Sequence, residues 1–296
     1  METAVCRREI SSDSFPLYED IDGEYYYGYR TTITYDEKGR TVYKYRPLTP
    51  EDLLEPEEGD VYMEGSLHEK DLDRLKSIFR HALKDRKNVT VYSDLKIQWG
   101  VDGLSNPAPD ISIFENVKDP EKPRNSFFVQ EEGVKPFFVL EVVSPRYRDT
   151  DTDGKPGIYR KARVPEYIIV DPGLEGNKIS YTVSGHRLAG NRYVKIKPDR
   201  QGRILSLTTG LFIGVSELRD RLIVTDVQTG EEILSDDERA ELAEIRAEHE
   251  AIRAEQEATR AEQEKIRAEK EKIRADSAEE ELRELKEKLK AMGIPT

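Results

Sequence analysis

Apolar and polar positions change period several times along the chain, and each change marks an element. Thr31 to Tyr35 and Thr41 to Tyr45 are β-branched and aromatic runs, separated by the turn-forming stretch Asp36-Glu37-Lys38-Gly39-Arg40. That spacing predicts a hairpin, preceded by the tyrosine cluster Tyr25-Tyr26-Tyr27-Gly28-Tyr29. A short helix is expected at Leu48-Thr49-Pro50-Glu51-Asp52, with Thr49 as cap, Pro50 at the first helical position and Asp52 as early negative charge. Leu67, Leu72, Leu75, Ile78, Phe79, Ala82 and Leu83 form a helical stripe, which predicts the first long helix from Ser66. Strands are expected at Val89 to Tyr92, Leu95 to Trp99, Ile111 to Phe114 and Phe137 to Val143, the last a nearly unbroken apolar run suited to burial on both faces.

After a polar stretch from Arg146 to Lys155, a helical piece near Ile158 to Ala162 leads into the apolar run from Glu166 to Asp171. Strand, helix, strand in that order predicts a crossover in a mixed sheet flanked by helices, an α+β (mixed α/β) fold. Shorter strands follow at Lys178 to Ser184, Arg192 to Ile196, Ile204 to Leu207 and Leu222 to Val227, joined by glycine and asparagine turns. From Asp236 a seven-residue repeat takes over, with Ile245, Ile252, Thr259, Ile266 and Ile273 in one phase. Only one strong apolar position recurs per heptad, where a coiled-coil seam takes two. A ladder of Glu and Arg at spacings of three and four supports the helix in solvent. Leu282, Leu285, Leu289 and Met292 then offer a face for a partner or a second copy, and Gly293 and Pro295 end the helix. Three segments result: a tyrosine-rich extension (1–46), a folded domain (47–235) and a charged heptad helix of coiled-coil type (236–293).

Composition agrees with this division, since 36% charged residues against 36% hydrophobic ones is polar for a chain packed entirely into a core. The single cysteine, Cys6, excludes an intramolecular disulfide framework and fits a reducing compartment. With no apolar run of membrane-spanning length and no signal-peptide core, a cytoplasmic location is expected. The net charge of -13 argues against a protein that coats DNA nonspecifically. The segment from Asp236 holds 13 Lys and Arg against 19 Asp and Glu, leaving 34 against 41 in the remainder, so the body is acidic too.

Two acids interrupt apolar runs. Asp110 follows Pro109 at the start of one strand, and Glu141 lies inside Phe137 to Val143, where an unpaired carboxylate would cost several kcal/mol. With the backbone carbonyl of Val142 they provide hard oxygen ligands of the kind taken by Mg2+ or Mn2+, and Lys155 in the next polar segment provides a cation. Those are the parts phosphodiester hydrolysis requires. Taken singly, each residue also has a structural reading: Asp110 as a turn cap, Glu141 paired with an arginine such as Arg146, and Lys155 solvated. Asp149, Asp151, Asp153 and Gly154 match the first half of a calcium loop, but Arg160 stands where the bidentate glutamate belongs. Asp151, one turn before Lys155, is better read as steadying it. His68 and Glu64 are further candidates for the site. Tyr159, Tyr167 and Trp99 read as core or wall, and His81 and His186 have no companion at ligand spacing.

As an ordered set, Pro109-Asp110, Glu141-Val142-Val143-Ser144-Pro145, Asp151-Lys155-Tyr159 at four-residue intervals, and Val164-Pro165-Glu166-Tyr167 with Asp171-Pro172 resembles the Uma2 family. Those proteins are restriction-endonuclease-like members of the PD-(D/E)XK nuclease superfamily. The resemblance runs from about Pro47 to Gly230, including Leu48-Thr49-Pro50-Glu51-Asp52-Leu53 and His68. It implies a four-stranded mixed sheet flanked by helices, with Asp110 and Glu141 as metal ligands. In the superfamily the lysine stands two residues after the glutamate, where this chain has Val143, and the resemblance points to Lys155 on the following helix. The expectation is a metal-dependent DNA endonuclease with Asp110, Glu141, Lys155 and Asp151 as its catalytic residues. The alternative is a catalytically silent scaffold that binds a partner through its C-terminal helix.

Overall fold

The computed structural model of the protein describes residues 26–62, 66–144, 148–175 and 178–291. Residues 1–236 and 237–296 form separate compact units. The first unit opens with β1 (Gly28–Tyr35) and β2 (Thr41–Pro47), the expected hairpin, in register from Tyr29 opposite Pro47 to Tyr35 opposite Thr41. Asp36 closes its turn by accepting the backbone N–H groups of Lys38 and Arg40. The expected short helix is a single 3-10 turn at Asp52–Leu54, with Asp52 accepting the N–H of Thr49 at 2.9 Å. Next come β3 (Asp60–Tyr62), which pairs with β1, and α1 (Ser66–Ala82).

β4 (Val89–Tyr92), β5 (Lys96–Gln98), β6 (Ile111–Glu115), β7 (Ser126–Phe128), α2 (Val129–Glu132) and β8 (Phe138–Val142) follow. A helical stretch containing α3 (Lys155–Lys161) leads to β9 (Glu166–Glu175), β10 (Lys178–Ala189) and β11 (Arg192–Lys195). β12 (Ile204–Ser206), β13 (Leu211–Val215) and β14 (Leu222–Asp226) form a small antiparallel sheet before α4 (Asp236–Ala291).

The central sheet has six strands, in the order β11-β10-β9-β8-β6-β4. Four were expected; β10 and β11 extend it because the twelve residues of β10 pair along ten positions of β9. Only β8 and β9 run parallel in this sheet. Its two faces carry separate cores. Leu75, Ile78 and Phe79 of α1 pack with Ile111, Ile113, Phe138 and Leu140 on one side, while Phe114, Val139, Tyr159 and Tyr167 fill the other. α4 is a helix of 56 residues, and Ile245, Ile252, Ile266 and Ile273 of its repeat are exposed. Cys6, Gly293 and Pro295 lie outside the described residues.

One anchor of the sheet stands in the sequence only as part of a motif, with no role attached. Glu166, fully buried at the start of β9, accepts Ser206 Oγ at 2.6 Å, Thr208 Oγ1 at 2.7 Å, the Leu207 N–H at 3.1 Å and Arg187 Nε at 2.7 Å. Burial alone would push its pKa up, but the hydroxyl and guanidinium donors outweigh burial and hold it below the ordinary carboxylate value. A depressed carboxylate pKa contributes stability above the unfolded-state value, and that contribution is lost as pH falls through the folded one. Glu166→Gln is therefore expected to cost about 2 kcal/mol at about pH 7. The difference should shrink below about pH 4, which urea denaturation of both proteins across that range checks.

Candidate active site

Sheet register makes Asp110 and Glu141 neighbours. Ile111 of β6 faces Leu140 of β8, so the residue before the first and the residue after the second lie side by side across the ladder. Alternate side chains of a strand leave opposite faces. Ile111, Phe138, Leu140 and Val142 enter the core on the α1 side, which sends Asp110 and Glu141 to the face occupied by Phe114, Val139 and Val143. Glu141 is 1% exposed and Asp110 9%. The Val142 N–H donates to Asp110 Oδ2 at 2.6 Å, which fixes that carboxylate against the strand.

The helical stretch before β9 covers the same face. Lys155 Nζ lies 3.0 Å from Glu141 Oε1 and 2.7 Å from Asp151 Oδ1, and the Tyr159 hydroxyl donates to the same Glu141 Oε1 at 2.7 Å. Asp151, Lys155 and Tyr159 follow at four-residue steps, the spacing that stacks side chains along one helix face. Residues Thr150–Gly154 form a π-helical turn in which the Lys155 N–H bonds to the Thr150 carbonyl, five residues back. In that register position 156 would donate to the Asp151 carbonyl. Pro156 has no N–H, and the buried Tyr167 hydroxyl supplies the bond instead, at 2.7 Å. The proline thus sits in the first turn of α3 without an orphaned acceptor beneath it.

A cleft of about 830 Å3 opens onto these groups. His68, in the first turns of α1, brings Nε2 to 3.7 Å from Asp110 Oδ1. Glu57, Asp60 and Tyr62, in and just before β3, form part of the wall. Two further cations line the cleft, and both are engaged in holding loops: Lys96 with Glu55 at 3.1 Å, Arg124 with Glu132 at 2.9 Å.

Negative charge predominates at the centre. Burial, and then the Glu141 charge, push the Asp110 carboxyl well above the ordinary range. Burial raises Asp151 to about 6, against the opposing pull of Lys155. Burial also disfavours the Lys155 ammonium, yet Asp151, Glu141 and Asp110 together outweigh it and raise its pKa, so the lysine stays charged. Tyr159 and Tyr167 are pushed up by burial and by Glu141, so both hydroxyls stay protonated.

The family model described as "Uma2: Putative restriction endonuclease" matches residues 34–220. The chain belongs to the Uma2 family. The matched span includes His68, Asp110, Glu141, Asp151, Lys155 and Tyr159, and it excludes α4. Among solved structures, one that matches is titled "Crystal structure of a putative nuclease belonging to DUF820 from Anabaena variabilis ATCC 29413". It is 15% identical with a TM-score of 0.38, over 55% of this chain and 91% of that one. No curated protein matches the chain.

Every described acid and cation picked out around the two strands reaches one place, the calcium-loop pattern apart. Asp149 and Asp153 point to solvent from the π turn while Asp151 is buried, so the three do not converge. Lys155 is buried rather than solvated, and Glu141 is paired with it. Arg146, the suggested arginine partner, and Glu64 lie outside the described residues. His186 is half-buried and stacks on Tyr167 and Tyr193. Tyr159 and Tyr167 are core residues as expected, but their hydroxyls bond to the site, which ring hydrophobicity in a sequence does not announce.

Asp110→Asn keeps an acceptor for the Val142 N–H and removes a charge that burial and Glu141 both oppose. A carboxyl whose folded pKa is raised binds protons on folding, so its ionised form lowers stability as pH rises from the unfolded to the folded value. The metal-free variant is expected to be more stable than the parent by about 1 kcal/mol at about pH 7, with the gap closing toward pH 4. Thermal melts in chelator at both pH values check this, and a variant less stable than the parent at neutral pH contradicts it.

Proposed function

We propose that the protein is a metal-dependent endonuclease that hydrolyses phosphodiester bonds in DNA. The observation carrying this reading is the convergence of Asp110, Glu141 and Lys155 at one buried point of a cleft. The donor set fits a hard divalent cation. Two carboxylates and the Val142 carbonyl are oxygen ligands, and three buried carboxylates face one ammonium, a deficit of positive charge that a divalent ion corrects. Among the described residues no three His, Cys, Asp or Glu side chains form a metal-ligating group. Asp110 and Glu141 would therefore be joined by carbonyl and water oxygens, the arrangement Mg2+ favours, with Mn2+ as a substitute.

Bound there, the ion would polarise the phosphoryl group and acidify a water. Lys155 holds a permanent positive charge beside Glu141, placed to orient that water or to stabilise charge developing on the phosphoryl oxygens. Asp151 fixes the ammonium by the shorter of its two contacts. The cleft adds little attraction for phosphates, since Lys96 and Arg124 are engaged in its walls. Weak affinity for bulk DNA follows, so targeting falls to a partner or to assembly.

The purified full chain with Mn2+ or Mg2+ is expected to cut DNA. Asp110→Ala, Glu141→Ala and Lys155→Ala are each expected to lower the rate by about 100-fold or more. Failure to cut single- or double-stranded DNA or RNA, together with no saturable Mn2+ site, sinks the proposal and leaves the silent scaffold.

The second unit supplies the surface for assembly. Leu282 and Leu285 lie on α4 with more than half of each side chain exposed, and no described helix is long and apolar enough to cross a membrane. Assembly through this helix predicts a mass by light scattering that is a multiple of the monomer for the full chain and of monomer size for a chain ending at Ser235. The same state for both would place any association elsewhere.

A further inference from the structure

Glu141 is held asymmetrically. Two donors from one helix face, Lys155 Nζ at 3.0 Å and the Tyr159 hydroxyl at 2.7 Å, meet at Oε1, while Oε2 on the Asp110 side accepts only a long bond of 3.4 Å from the Asp110 N–H. The terminal torsion of a glutamate is broad, so one contact does not fix the plane of its carboxylate. Lys155 is a weak constraint by itself, because its closer contact is with Asp151 at 2.7 Å and an ammonium can pivot among acceptors. Tyr159 has no such freedom. Its ring is fully buried, edge-on to Trp99 at 6.1 Å and tilted on Tyr167 at 4.9 Å, so its hydroxyl can occupy only one place.

We propose that Tyr159 is a positioning residue of the site: its hydroxyl pins Glu141 Oε1 and so holds Oε2 beside Asp110, where a divalent cation would be bound. The inference rests on the metal-dependent reading above and assigns a function to a residue that otherwise serves only packing. It acts through Glu141 and touches no reacting atom. Groups that orient a ligating side chain in this way typically affect metal affinity or activity by about 10- to 100-fold.

Tyr159→Phe in the full chain keeps the ring and removes the hydroxyl. Titration calorimetry with Mn2+ is expected to show affinity about tenfold weaker or more in the folded variant, with kcat for DNA cleavage falling more than KM changes. Tyr193→Phe, which deletes a partly buried hydroxyl that donates to the Val164 carbonyl at 3.0 Å, is expected to bind Mn2+ as the parent does. Circular dichroism and melting temperature establish that both variants fold. If the parent binds Mn2+, Glu141→Ala abolishes binding and Tyr159→Phe matches the parent, the positioning role is wrong while the metal site stands. A Tyr193→Phe loss as large as that of Tyr159→Phe also overturns it, by making the effect one of general packing. If the parent itself has no saturable Mn2+ site, the metal-dependent reading fails and takes this inference with it.

Discussion

A carboxylate at 1% exposure in the middle of a two-sided sheet costs several kcal/mol unless it is paired, and beyond a long bond of 3.4 Å from the Asp110 N–H, Glu141 is paired from one direction. Both of its close donors, Lys155 and Tyr159, come from the helix that links β8 to β9. That helix is a requirement of the topology. Two adjacent strands running parallel cannot be joined by a tight turn, so the chain must cross over one face of the sheet. The crossover covers the face toward which Glu141 points, and the connection demanded by the strands is also what makes the buried acid tolerable. The balance is incomplete, because Asp110 and Asp151 share the same ammonium and burial leaves both harder to ionise. Charge concentrated in this way lowers stability, and it is what the proposed divalent cation would offset.

The wall of the cleft depends on a second set of charges. Arg30 of β1 is bidentate with Asp60 of β3 and also meets Glu57 at 2.8 Å and Asp52 at 3.3 Å, while Arg46 of β2 takes Asp52. Asp52 is held well below the usual carboxylate range chiefly by Arg46. The hairpin at the start of the described chain is thus clamped to the 3-10 turn and to the loop that borders the site. The opposite face of the hairpin and β3, with Ile33, Tyr35, Tyr43 and Val61 exposed, takes no part in that clamp.

Much of this was legible in the sequence where a single strong periodicity governed the outcome. The stripe of α1, the hairpin with its Asp36 turn and the apolar run of β8 each specify one element, and the acid inside β8 marks the site. Elements of three residues, such as β3 and β7, carry too little pattern to be seen, and Gly214 interrupts the run that becomes β13. Periodicity also does not say which strands share a sheet, so the addition of β10 and β11 to the central sheet was hidden. Nor does it give register, which alone decides whether Asp110 and Glu141 meet. Glu166 shows the same limit: its place in a motif gives it no partner, and only the return of Ser206 and Thr208 over it reveals a buried anchor.

The cation's origin has a structural consequence. Val143 lies on the Glu141 face of the strand and is fully buried in the core there, so a lysine at that position would compete with packing that this chain has committed to apolar contact. Presenting the ammonium from Lys155 leaves that core intact but makes its position depend on the helix before β9. The dependence is met by the π turn, which brings Asp151 and Lys155 together, and by Tyr167, which takes the carbonyl that Pro156 cannot serve. A cation carried on a strand is placed by the sheet itself. Here it is placed by a helix start whose geometry is held by a tyrosine of the neighbouring strand, so packing between α3 and β9 and the electrostatics of the site form one constraint.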